Sequence, residues 1–101
     1  MRRGTTPQQE FVLPISTDLV AVAEITYKQG DRVILRKHGD EVQRQDKKLV
    51  VRLTQKETFT FAAGIPAKIQ VRPLLTDGSV PDTRILTIMV EDCLSEEVLT
   101  L

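Results

Sequence analysis

The chain is poor in the residues that build most catalytic and metal-binding sites. It has no Trp, one Cys (Cys93) and one His (His38) among 101 residues. A single Cys excludes an internal disulfide, and a structural zinc site needs four ligands, usually Cys and His. A Ser or Cys nucleophile most often needs a neighbouring His as its base, and only His38 could serve. We therefore predict a protein that is not an enzyme, with no catalytic, cofactor-binding or metal-binding residues.

Long apolar runs and an excess of one charge are also missing. No stretch approaches the ~18 apolar residues of a membrane-spanning helix, and no apolar region follows Arg2 and Arg3 to make a signal peptide. Lys and Arg together number 14, as do Asp and Glu, so the net charge is zero. Nucleic-acid binding draws on a basic excess. We expect no membrane partner, no nucleic-acid partner and synthesis in the cytoplasm.

The balanced charge is unevenly distributed along the chain. Residues 1–72 carry 13 Lys and Arg against 8 Asp and Glu, whereas residues 73–101 carry one Arg against six acids. In one interpretation, the two segments pair across the surface of the same molecule. In the other, they form complementary faces for contacts between subunits.

What the chain does have is alternation of apolar and polar residues, the mark of strands with one buried face. The core must be aliphatic, because aromatic residues make up only 4% of the chain. Candidate core positions are Ala21, Ala23, Ile25, Tyr27, Val33, Leu35, Leu49, Val51, Leu53, Phe59, Phe61, Ile69 and Val71. The return strand 83–91 is apolar on both parities, so we expect it to be covered on both sides. Pro14 predicts that the first strand lies at an edge, since proline gives a sheet no donor.

Two short helical turns and several tight turns separate these strands. Residues 17–20 are predicted to form one helical turn with Ser16 or Thr17 as its cap, and Thr54-Gln55-Lys56-Glu57 matches the S/T-x-x-E capping box. No long helical segment follows Glu57, so we expect a single turn that carries the chain from one sheet to the other. Gly30 and Gly78 mark hairpin turns.

The pattern predicts one all-β domain spanning residues 1–101. Seven or so short antiparallel strands, with turn signals every 8–12 residues, favour an immunoglobulin-like β-sandwich, with a small β-barrel as the alternative. Residues 1–9 are predicted to be a flexible N-terminal arm. Residues 93–101 are predicted to form either a last helical turn or a C-terminal strap that packs on a neighbouring molecule. Their apolar residues are near-helically spaced: Cys93, Leu94, Val98, Leu99 and Leu101.

The remaining chemical patterns are better explained by surface. Paired acids occur at 40–41, 91–92 and 96–97, but adjacent residues on a strand point to opposite faces, unlike the facing acids of glycosidases. The glycines stand singly and form no phosphate-binding loop. The basic residues of 44–52 lack interleaved aromatics for base stacking. We interpret them as a charged strand face.

Three stretches together carry a resemblance to a known family. They are 3–7 (RGTTP), 25–30 (ITYKQG) and 51–58 (VRLTQKET) followed by 69–72 (IQVR). In that order they resemble short uncharacterised proteins encoded in prophages of Firmicutes. The predicted architecture is also distantly similar to the immunoglobulin-like N-terminal domain of phage baseplate upper proteins. The resemblance implies a structural protein of a phage tail or baseplate, made in the bacterial cytoplasm and associated with the virion.

The partners that this resemblance implies are proteins, either further copies of the chain or other tail proteins. A carbohydrate-binding or cell-surface-binding adhesion module is the alternative function. Exposed aromatic rings would favour it, but Trp is absent and Tyr27 falls on the apolar parity.

Overall fold

Two antiparallel sheets face each other in the computed structural model, which describes all residues 1–101. Strand order is β1-β5-β4 in the first sheet and β3-β2-β6-β7 in the second. The strands are β1 (Gln8–Val12), β2 (Val20–Gln29), β3 (Arg32–His38), β4 (Gln43–Gln45), β5 (Lys48–Arg52), β6 (Ala67–Leu75) and β7 (Leu86–Ile88). No strand of one sheet pairs with the other sheet, so the fold is a sandwich and not a barrel.

The strand order is that of an immunoglobulin-like domain that lacks its first strand. Immunoglobulin sandwiches place strands A, B, E and D in one sheet and C, F and G in the other, which can be extended by C′. The order β1-β5-β4 corresponds to B-E-D, and β3-β2-β6-β7 corresponds to C′-C-F-G. No strand occupies the position of A beside β1.

A short helix carries the chain between the sheets, as the capping box predicts. Helix α1 (Gln55–Phe59) begins after Thr54, whose hydroxyl accepts the Glu57 N–H while the Glu57 carboxylate accepts the Thr54 N–H. The chain leaves β5 in the first sheet and enters β6 in the second. The other predicted turn is a 3₁₀ turn over Thr17–Leu19, with Ser16 as its cap.

The core lies between the sheets and is mainly aliphatic. Tyr27 and Phe61 pack edge to face with ring centroids 5.9 Å apart. Around them the fully buried side chains include Val20, Ile25, Leu49, Val51, Leu53 and Val90. The predicted alternation therefore holds for β6, whose Ile69 and Val71 are buried. In β5, Leu49 and Val51 are buried as predicted, but Val50 between them is buried as well.

Two bulges change the predicted parity at Ala21 in β2 and at Val33 in β3, whereas Ala23, Ile25 and Tyr27 are buried as predicted. The register skips Ala21 between Val20 and Val22, and it skips Ile34 between Val33 and Leu35. Because a one-residue shift moves every later side chain to the other face, Val20 is buried in place of Ala21. Val33 points outward for the same reason.

Three other strand predictions were wrong in extent. Residues 83–91 pair with β6 only over Leu86–Ile88, and the Thr83 hydroxyl donates to the Val71 carbonyl. Phe59 ends α1 and does not belong to a strand. The polar strand β4 was missed because all three of its residues are exposed and carry no alternation.

The predicted N-terminal arm, residues 1–9, is bound to the domain. Gln8 and Gln9 belong to β1. The Arg3 N–H donates to the Glu91 carbonyl at 2.9 Å, and the Glu91 N–H donates to the Met1 carbonyl at 2.8 Å. The chain ends therefore lie side by side, next to β7.

Candidate functional site

One cation, Lys37, points into the sandwich. Its Nζ lies 2.7 Å from Glu57 Oε2 and 3.6 Å from Glu41 Oε2. Burial alone would raise the pKa of Glu57, but the hydrogen bonds from Lys37 and from the Thr54 N–H outweigh it. The pKa of this carboxyl therefore lies below its usual range, and the ion pair is held between β3 and α1.

The single tyrosine is also part of the interior. The Tyr27 hydroxyl donates to Gln9 Oε1 at 2.5 Å, which links β2 to β1. Burial raises the pKa of Tyr27, and the negative charge of Glu57 raises it further. Tyr27 is thus a neutral core residue that joins the two sheets and offers no ring at the surface.

The residues weighed for catalysis lie at the surface or near it. His38 is exposed at the end of β3, and Cys93 is half-buried beside Gly4. The acids near the end of the chain gather around two arginines, with Arg3 Nη1 2.8 Å from Asp92 Oδ1 and Arg3 Nη2 3.2 Å from Glu96 Oε1. No group of three or more His, Cys, Asp or Glu side chains could hold a metal ion.

These ion pairs bear on the uneven charge distribution. Arg2 lies 2.5 Å from Glu91, so three acids of the C-terminal segment face the two N-terminal arginines. Opposite charges of the two segments therefore meet within one molecule, as the first interpretation states.

The basic residues of 44–52 are also engaged within the molecule. Arg44 donates to the carbonyls of Val20 and Ala21, at the bulge in β2. Lys48 pairs with Glu10, and Arg52 donates to Gln8 Oε1 at 2.8 Å. These three cations join strands across and within the sheets.

The outer edge of β1 has no strand beside it, as is also true of the outer edges of β3, β4 and β7. The Leu13 N–H donates to Lys47 and the Leu53 N–H to Pro7, so the odd-numbered residues face β5. Antiparallel pairing alternates residue by residue, so Gln8, Glu10 and Val12 direct their backbone N–H and C=O groups away from β5. Three consecutive donor–acceptor sites are therefore open along this edge.

An apolar groove lies beside that edge. It has a volume of about 650 Å³ and runs between β1 and residues 82–86. Its apolar lining consists of Phe11, Val12, Leu13, Val71 and Leu86, together with Pro14. Val12 is 73% exposed, more than any other large apolar residue in the strands. The groove occupies the side of the fold where strand A of an immunoglobulin domain would pair.

The predicted C-terminal strap contains no helix. Its backbone is held at one point, where the Gln55 amide accepts the Leu99 N–H at 2.8 Å and donates to the Leu99 carbonyl at 2.9 Å. The side chains of Leu94 and Leu101 are fully exposed, and Leu99 is 77% exposed. The strap thus lies along α1 of its own molecule while its leucines remain in solvent.

The outer face of the second sheet is basic. Lys28 stands directly opposite Lys68, and Arg72 stands opposite Glu24 at 3.9 Å. Arg36, in β3, projects from the same face. Like charges directly opposite one another in a sheet destabilise it. This face carries four cations and one acid, Glu24.

No helix in the structure has the length and apolar character to cross a membrane. Comparison of the chain with protein-family models, with curated proteins and with solved structures found no match.

Proposed function

We propose that the chain is a non-enzymatic structural protein that acts by binding other proteins. The observation that carries this proposal is the open side of the sandwich, where unpaired backbone groups of β1 lie next to an apolar groove. Soluble proteins usually cover or charge such edges, because an open edge pairs with other chains. On this face Val12 and Leu86 are exposed apolar residues.

The sequence resemblance supplies the setting of this role. It implies a component of a phage tail or baseplate, and these are assemblies of many protein subunits. A small sandwich with an unfilled strand position suits such an assembly, since a neighbour can complete it by strand addition.

The setting is tested by looking for the chain in phage particles. Particles induced from the organism that encodes the chain would be purified on a density gradient, and their proteins identified by mass spectrometry. We expect the chain to sediment with the particles at a fixed ratio to the tail proteins. Its absence from intact particles would contradict the structural role.

A second candidate is adhesion to an anionic cell-surface polymer, and the basic face of the second sheet favours it. The only tyrosine is buried, so sugar stacking on Tyr27 is not offered. Charge recognition by Lys28, Lys68 and Arg72 would have to serve instead. Retention on purified cell walls that is lost in Lys28→Glu/Lys68→Glu would support adhesion, and equal retention of this variant and the wild type would exclude it.

A further inference from the structure

We infer that the vacant strand position beside β1 is filled by the C-terminal strap (residues 93–101) of a second copy of the chain. The inference rests on the proposed function and names the partner. In the resulting contact, an extended strap adds a strand at the edge of the first sheet and buries leucines in the groove.

The edge itself specifies an extended backbone as its ligand. The outward N–H and C=O groups of Gln8, Glu10 and Val12 repeat every second residue, and a β-strand presents its own groups with the same repeat. Main-chain hydrogen bonds then provide affinity, while side chains of alternate residues enter the groove. Val12 and Leu86 line the groove, so it best accommodates aliphatic side chains of the added strand.

The strap has the properties of that ligand. It contains no helix, and the alternate residues Leu99 and Leu101 are separated by the polar Thr100. Their side chains contact solvent in the isolated molecule, although burial of each would stabilise the structure. The strap thus combines exposed leucines with a backbone that belongs to no sheet and is held by the Gln55 side chain at Leu99.

Reach indicates that the donor is a second molecule. Leu99 is held by Gln55, two residues after Leu53, and Leu53 is bonded to Pro7 at the start of β1. Val12 lies five residues up the strand from Pro7, about 17 Å away. Leu101 extends at most about 7 Å beyond Leu99. While Gln55 holds the strap, its leucines cannot reach the Val12 end of their own groove.

Such a contact joins two different surfaces, the strap of one copy and the groove of the next. Contacts of this heterologous kind propagate unless they close into a ring. Each molecule in the resulting array gives one strand and receives one. The hydrogen bonds from Gln55 to Leu99 hold the strap on its own molecule, so they compete with assembly.

The test uses one variant that cannot donate and one that cannot accept. Leu99→Asp/Leu101→Asp removes the donor leucines, and Thr100→Asp is its control, with a charge placed between them. Val12→Pro removes an outward N–H without touching a bond to β5, and Val12→Thr is its control, since it keeps that N–H. Leu86→Lys is a second acceptor variant, placed in the groove wall, in case Val12→Pro fails to fold.

Light scattering across a concentration series gives the readout. We expect the wild type and both controls to form species larger than a monomer, and each defective variant to remain monomeric. Mixing the donor-defective with the acceptor-defective variant should restore a dimer, because one intact groove meets one intact strap. Gln55→Ala should tighten wild-type association roughly tenfold, since it releases the strap.

Three results would overturn the inference. They are a wild type that stays monomeric at millimolar concentration, a donor-defective variant that assembles like the wild type, and a mixture that stays monomeric. Each is independent of the particle experiment. A chain found in particles but indifferent to these substitutions would leave the structural role standing and exclude strand addition by the strap.

Discussion

Removing the charge of Glu57 should destabilise the fold, because it leaves Lys37 buried with a weaker partner. Glu57→Gln is nearly isosteric and keeps the capping box, since glutamine serves in that position. Lys37 would then face only Glu41, at 3.6 Å in place of the 2.7 Å to Glu57. A buried ion pair broken from one side costs about 3–5 kcal/mol. Because Glu57 is about a fifth exposed and Glu41 remains, we expect about 2 kcal/mol.

Lys37→Met should cost less than Glu57→Gln. It replaces the aliphatic stem of lysine with a side chain of similar length, and it leaves Glu57 partly solvated and hydrogen-bonded to the Thr54 N–H. The double variant should recover most of the loss caused by Glu57→Gln. We expect a coupling energy of about 1–2 kcal/mol from this cycle.

Urea denaturation followed by far-UV circular dichroism measures all four proteins, since the chain has no Trp for fluorescence. A loss of 2 kcal/mol corresponds to a fall in Tm of roughly 8–16 °C for a domain of this size. The control is Lys48→Met, which removes a cation from the exposed pair with Glu10 and should cost under about 1 kcal/mol. If Glu57→Gln matches the wild type and the cycle is additive, the pair does not stabilise the interior.

Three further predictions follow from single residues. Tyr27 should not ionise in the folded protein near its ordinary pKa of 10, because burial raises its folded pKa. The stability that the neutral phenol contributes is present below pH 10 and is lost as pH rises above it, so absorbance at 295 nm should change together with unfolding. A separate absorbance transition at pH 10 in folded protein would refute this. Asp46 has a φ of 55°, a conformation that a β-branched residue adopts only with strain. Asp46→Val should therefore lower the free energy of unfolding by about 1–2 kcal/mol, measured by thermal melting, while Asp46→Gly leaves it unchanged. Equal melting temperatures of the two variants would contradict this argument. Gly4 has a φ of 78°, and a Cβ there would stand 2.7 Å from Phe59 Cζ. Gly4→Ala should therefore lower the free energy of unfolding by about 2 kcal/mol and speed amide exchange at Arg3. Unchanged exchange would show that the Phe59 ring moves aside freely.

The β-sandwich could be predicted because its longest strands alternate apolar and polar residues. Ala67, Ile69 and Val71 are buried in β6, and a one-residue slip would expose all three. The capping box of α1 is a local signal, so its position could also be read directly.

What could not be predicted depends on contacts between distant residues. The bulge at Ala21 is stabilised by Arg44, which is more than 20 residues away in the sequence. No pattern of neighbouring residues could therefore predict it. Lys37 shares the parity of Leu35, and its burial as a cation depends on Glu57 in another element. Short polar strands such as β4 have neither alternation nor apolar content, and their pairing is decided by the neighbouring strand.

The candidate site was predictable only in part. Pro14 predicted correctly that β1 lies at an edge, whereas the helical turn considered for 93–101 is absent. That the edge stands open beside an apolar groove depends on the absence of a strand, and a sequence cannot show which strand position a fold leaves unfilled. The prophage resemblance remains an expectation that the particle experiment tests.

The pairing of distant segments also sets how the chain folds. Hairpins β2–β3 and β4–β5 are local, but β1 pairs with β5 about 40 residues later, and Arg2 bridges to Glu91. Domains with such high contact order fold in milliseconds to seconds, slowly for their size. During that interval β1 has both edges free, and in crowded surroundings it can meet a strand of another chain before β5 arrives. The rate of folding relative to the rate of encounter would then decide whether copies join through completed domains or through domains that are still closing.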